Sequence, residues 1–85
     1  MILNDIIIEM LYQHGKAIKK HPDFPKDVIH MVSIMAEEAG ETIQAANDAV
    51  YHNGSLEDVK KEIYHTMATC IRCLDGIDSL QKGEN

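Results

Sequence analysis

Apolar side chains recur at steps of three and four along three stretches of this chain, and no stretch alternates residue by residue for long enough to suggest a strand. In the first stretch Ile6, Ile7, Met10, Leu11, His14, Ala17 and Ile18 keep helical spacing. They predict a helix from about Asn4, a candidate N-cap, to Lys20. Lys16, Lys19 and Lys20 gather near its end, where cations complement the helix dipole. His21-Pro22-Asp23-Phe24-Pro25 interrupts the pattern, with Pro25 suited to the first turn of the next helix. The second helix is expected to reach about Tyr51, with Asn53-Gly54 as its stop. Ser55 with Asp58 resembles a capping box opening a third helix that runs to about Gln81, with Gly83 beyond it. Helices two and three are each on the order of 40 Å long. The short link between them predicts an antiparallel hairpin.

On a helical wheel, Val28, Met31, Val32, Ile34, Met35, Ala36, Ala39, Ile43, Ala45, Ala46, Ala49 and Val50 cover well over half of the second helix. Glu38 falls inside that arc and Glu41 at its edge, while Glu37 points outward with Gln44 and Asp48. The third helix has a packing stripe of Leu56, Val59, Ile63, Met67, Cys70, Ile71, Leu74 and Ile77. Glu62 lies at the edge of this stripe, with His65, Thr69 and Arg72 on its outer side. Residues three apart project from one helix face, so Glu38–Glu41 and Glu62–His65 would bring three acids and an imidazole together across the hairpin. An ionised carboxylate on an apolar face is costly unless it is paired or binds a metal, and basic residues are few. Solvated surface is the simpler reading of Glu37 and Asp48, as it is for a lone histidine. The cluster also sets a register. The second helix must end between Ala49 and Tyr51, and a helix unbroken through His52 would count against it.

Eighty-five residues make one domain, 1–85. With 45% apolar residues and only 5% aromatic ones, the core is aliphatic and larger than so short a chain can bury alone, which predicts self-association. The formal charge of −6 argues against nucleic acid and anionic membrane as partners. Ile6-Ile7-Ile8 sits between Asp5 and Glu9 with no basic lead, so neither a signal peptide nor a membrane span is expected, and the cytoplasm is the expected compartment. Cys70 and Cys73 fall within a helical pattern and read as small buried side chains rather than a redox pair. Oxygen-rich ligands select a hard cation, and such a site suits phosphoanhydride hydrolysis. No glycine-rich phosphate loop is present, which leaves that work to the cation.

Glu37-Glu38-Ala39-Gly40-Glu41 resembles the E-E-x-x-E motif of the MazG-like nucleotide pyrophosphohydrolases, of the all-α NTP pyrophosphatase superfamily. The lead-in Phe24-Pro25-Lys26-Asp27 is similar too, and the resemblance spans roughly residues 21 to 78. It implies an antiparallel helical bundle completed as a homodimer or homotetramer. It also implies hydrolysis of a nucleoside triphosphate to the monophosphate and pyrophosphate with Mg2+, or Mn2+. Carried over, the metal ligands are Glu38, Glu41 and Glu62, with Glu37 as a ligand or water-orienting residue. His65 stands where the family pattern has Asp. Lys19, Lys20, Thr69 and Arg72 are the candidates for phosphate or base contacts. Three alternatives stand beside this reading. They are a phosphoribosyl-ATP pyrophosphohydrolase, a di-metal carboxylate protein of ferritin-like type built on Glu62 and His65, and a non-catalytic module on the same scaffold.

Overall fold

The computed structural model describes residues 2–83 and contains three α-helices, α1 (Leu3–Lys20), α2 (Val28–Tyr51) and α3 (Leu56–Gln81), with no strand among the described residues. The all-α expectation and the hairpin of two long helices are therefore observed. Two of the helix starts differ from the sequence reading. Asn4 lies inside α1, whose N-cap is Ile2 and has no side-chain cap. Pro25 precedes α2 rather than entering it. The N-cap is Asp27, whose carboxylate accepts a hydrogen bond from the His30 amide at 2.8 Å. Asp27 meets a free first-turn N–H directly, a stronger start signal than a proline can offer. Ser55 caps α3 as expected, accepting from the Asp58 amide at 3.1 Å.

The α2–α3 turn shows why Asn53-Gly54 ends the helix. Asn53 adopts φ 63°, in the left-handed region that asparagine tolerates better than most residues. The His52 and Gly54 amides both reach the Asp48 carbonyl, at 2.9 and 2.8 Å. A Cβ on Gly54 would lie 2.9 Å from the Asp48 carbonyl carbon and 3.0 Å from the Ala49 nitrogen, both backbone atoms that cannot move aside. Gly54→Ala is expected to lower stability by about 1–3 kcal/mol, read as a fall in the thermal midpoint by circular dichroism. An unchanged midpoint would show that the turn can be rebuilt without the glycine.

The long α3 packs against both α1 and α2, whereas α1 and α2 do not pack on each other. The resulting molecule measures 47 × 27 × 20 Å. The core is small: Met31, Tyr64, Ala68 and Cys73 are buried. Met31 and Cys73 touch directly, the Cys73 thiol donating to the Met31 carbonyl at 3.3 Å. Gly76 leaves room for the end of the Met31 side chain, which a Cβ there would meet at 2.8 Å. Small residues on α3 thus let the helices approach closely.

This corrects part of the expected packing stripe of α3, of which Val59, Met67, Cys70, Ile71 and Ile77 remain half-buried. Leu56, Ile63 and Leu74 are exposed, Leu56 and Leu74 by 70% or more. The buried side runs instead through Tyr64, Ala68 and Cys73. On α2, Val28, Val32, Ile43 and Val50 of the predicted arc are likewise exposed, and α1 has no fully buried residue. The aliphatic residues follow a helical period, but the side covered by the two neighbours of α3 is offset from their stripe. Cys73 is buried and Cys70 half-buried, both as free thiols, matching the reading of small packed side chains. Burial, and then the neighbouring Cys70, push the Cys73 thiol above its ordinary pKa, the opposite of an activated thiolate. Among the described residues no helix is long and apolar enough to cross a membrane.

Candidate functional site

α2 ends at Tyr51, where the register of an acidic cluster requires it to end. Thr42 and Thr66 then confirm which faces meet. Each lies one turn beyond a glutamate, Glu38 on α2 and Glu62 on α3, and their hydroxyls hydrogen-bond across the hairpin at 3.1 Å. Residues four apart share a face, so Glu38 and Glu62 are turned toward one another. Ligand atoms of Glu38, Glu62 and His65 all lie within 4.8 Å of each other. His65 Nδ1 stands 3.6 Å from Glu62 Oε2.

Two carboxylate oxygens in this group, Glu38 Oε2 and Glu62 Oε2, are shielded from solvent and have no hydrogen-bond partner. Buried polar atoms are nearly always paired, and here the His65 imidazole 3.6 Å from Glu62 Oε2 is too far for a hydrogen bond. Burial raises the Glu38 pKa above its ordinary 4.5, helped by the charge and side-chain contact of Glu41 and by Glu62, and opposed by His65. This donor set fits a divalent cation, which would satisfy both oxygens and remove the repulsion.

The raised pKa carries a sign. Folded Glu38 holds its proton more tightly than the unfolded chain does, so its contribution to stability is full below 4.5 and is lost as pH rises through the elevated value. Urea titrations without metal, run across that window on the parent and on Glu38→Gln, are expected to show the parent losing stability relative to the variant as pH rises. Parallel profiles would mean that the carboxyl titrates normally.

Glu41 and Glu37 are both exposed and lie outside the group of three. Three residues advance about 300° around a helix, so with Glu38 aimed at α3, Glu41 is rotated some 60° off that direction. It remains close enough to affect Glu38 electrostatically.

Beside the cluster opens a cleft of about 830 Å³ between α1, the 21–27 connector, α2 and α3. Its walls include Glu38 and His65 together with Lys19, Lys20, Thr69 and Arg72, so all four candidates for phosphate or base contacts share one cavity with two residues of the cluster. Lys16 and Lys61 join them, bringing five of the eight Lys and Arg residues of an acidic chain into one cleft. Lys61 was not singled out from the sequence, although Lys61, His65 and Arg72 at spacings of four and seven mark one face of α3. Arg72 also holds the connector down. Its guanidinium lies 4.6 Å from the centre of the Phe24 ring and donates to the Pro22 carbonyl at 3.5 Å.

No family model, curated protein or solved structure significantly matches this chain.

Proposed function

We propose that the protein is a divalent-cation-dependent nucleoside triphosphate pyrophosphohydrolase of the MazG-like kind, acting on an NTP or dNTP. The observation that supports this most is the meeting, in one cleft, of Glu38 and His65, two members of the Glu38–Glu62–His65 group, with five cationic side chains. A carboxylate group alone would suit many cations. A cationic wall facing it suits a ligand that is itself a polyanion, and a metal–triphosphate is such a ligand.

In this reading Glu38, Glu62 and His65 hold the cation, with Glu41 as a fourth ligand from the next turn and Glu37 orienting water. When bound, Mg2+ or Mn2+ supplies charge neutralisation at the phosphates and lowers the pKa of a coordinated water. The protein's own contribution is positional. Lys16, Lys19, Lys20 and Lys61 carry positive charge to the triphosphate, and Arg72 offers paired N–H donors that match phosphate oxygens. Water attacks the α-phosphorus, the bond to the bridging oxygen breaks, and pyrophosphate leaves with that oxygen. The products are the monophosphate and pyrophosphate.

A second copy of the chain belongs to the same reading. Four buried apolar residues are few for a stable domain, and sixteen large apolar side chains remain exposed among the described residues. Sedimentation equilibrium is expected to give two or four times the chain mass. A monomer at micromolar concentration would remove the oligomer from the proposal.

The function is tested by pyrophosphate release from a panel of standard and modified nucleoside triphosphates with Mg2+ or Mn2+. Turnover that Glu38→Gln and Glu62→Gln abolish supports it. The absence of turnover with every substrate and both cations would reject it.

A further inference from the structure

α2 is apolar on two sides. One packs on α3, where Met31 is buried and the Thr42 hydroxyl meets that of Thr66. On the opposite side Ile29, Val32, Ala36, Gly40, Ile43 and Val50 are all exposed, three of them by 65% or more. At about 100° per residue these six fall within a band roughly 80° wide. All four carboxylates of α2, Glu37, Glu38, Glu41 and Asp48, lie outside it, and the helix has no lysine or arginine. An exposed helix face is ordinarily polar, and α1 does not pack on α2 to cover this one. We propose that the band is the interface of a symmetric dimer, in which α2 pairs antiparallel with α2 of a second copy about an axis beside Gly40. The inference locates the contact between copies, and it holds whether or not the chain hydrolyses nucleotides.

Gly40 is the position that a single chain leaves unexplained. Glycine inside a helix costs about 1 kcal/mol relative to alanine. A Cβ at Gly40 would meet nothing within 4 Å, so no contact within the chain calls for its absence. A second helix lying against the band does, because the distance between two packed helices is set by the side chains at their contact. Ala36 and Gly40 lie near the middle of Val28–Tyr51, with branched residues on either side of them.

The band is complementary to itself. Ile29, Ala36, Ile43 and Val50 are seven apart, a repeat that lets two helices cross at about 20° and stay in contact along their length. Positions 29 and 50 share a midpoint with 36 and 43, between 39 and 40. An antiparallel pair centred there sets Ile29 against the second copy's Val50 and Ala36 against its Ile43, so a small residue meets a large one. A parallel pair would set each residue against itself, with a void between the two alanines, and would align the helix dipoles unfavourably. The area suffices as well. Ile29, Val32, Ile43, Val50 and the neighbouring Tyr51 are 41–77% exposed. Together they present on the order of 600 Å² per copy, or about 1,200 Å² for two, the lower end of stable interfaces. Ile34 and Glu38, which line the cationic cleft, project from the other side of α2, so pairing leaves the clefts of both copies open.

Sedimentation equilibrium and cysteine cross-linking of the full chain test this together. The parent is expected to associate, and Ile43→Glu to raise the dissociation constant about a hundredfold or more. The variant should keep its helical circular dichroism, since Ile43 is exposed in the single chain. With air as oxidant, Gly40→Cys should form a disulfide-linked dimer. Ile29→Cys alone should not, because the two copies of position 29 would stand about 30 Å apart, whereas a mixture with Val50→Cys should. The parent, whose own thiols are buried or half-buried, is the control without a cross-link. The interface is overturned if the parent is a monomer, if Ile43→Glu associates as tightly as the parent, or if Ile29→Cys links to itself as readily as Gly40→Cys. The readouts are mass and linkage rather than turnover, so failure here is distinguishable from failure of the hydrolytic reading.

Discussion

The Glu38→Gln protein is expected to melt higher than its parent when no divalent cation is present, and to lose hydrolysis altogether. Both halves come from one local fact. Glu38 Oε2 is enclosed without a hydrogen-bond partner, and the charges of Glu41 and Glu62 add to the cost of ionising Glu38. Removing the charge from Glu38 removes desolvation and repulsion together. At neutral pH the gain is about 1 kcal/mol, which for a domain of this size shifts the midpoint by about 4–8 °C. The same change deletes a cation ligand, so Mg2+ or Mn2+ should raise the melting temperature of the parent and not that of the variant. Turnover should fall by about a thousandfold or more. Differential scanning calorimetry with and without cation reads the first effect, and pyrophosphate release the second. A variant that melts lower than the parent without cation would mean that Glu38 has a stabilising partner after all.

His65→Asp is expected to change which cation the site prefers. The imidazole shares its group with two carboxylates, all ligand atoms lying within 4.8 Å. Nitrogen ligands favour first-row transition ions over magnesium, and a third carboxylate favours magnesium. The parent should therefore bind Mn2+ or Co2+ more tightly than Mg2+, and the variant should narrow that ratio by roughly tenfold or more. Co2+ absorbance reads ligation directly, since replacing nitrogen by oxygen weakens and shifts the visible bands, and competition with Mg2+ supplies the ratio. Identical cobalt spectra for parent and variant would place His65 outside the coordination sphere. The spectra do not depend on turnover, so this outcome is separable from loss of catalysis.

Local signals account for much of the architecture. Three helices follow from the spacing of apolar residues. The stop at Asn53-Gly54 and the start at Ser55 are short-range matters of backbone conformation and capping, and the structure places both as expected. Of the ends that differed, the start of α2 has a local explanation in the Asp27 cap, whereas α1 begins after Ile2 with no side-chain cap. The meeting of Glu38, Glu62 and His65 was readable because it needs only helix periodicity and the position of one turn. Glu41 lies outside that group of three, rotated some 60° on the helix, yet its side chain stays in contact with Glu38.

Periodicity names the residues that share a face of a helix, but it is blind to what stands opposite. For that reason the aliphatic stripe of α3 marks only part of its packed side, and the most deeply buried residues are Tyr64, Ala68 and Cys73. The cationic cleft needed the same missing information. Lys16, Lys19 and Lys20 come from α1, Lys61 and Arg72 from α3, and the connector that brings Phe24 against Arg72 has no periodicity to read. Helices, caps and turns follow from interactions within a few residues, so the amino-acid order suffices for them. Which faces meet, and which charges then share a cavity, depends on contacts between residues up to fifty positions apart, such as Arg72 with Pro22, and these exist only once the chain has packed.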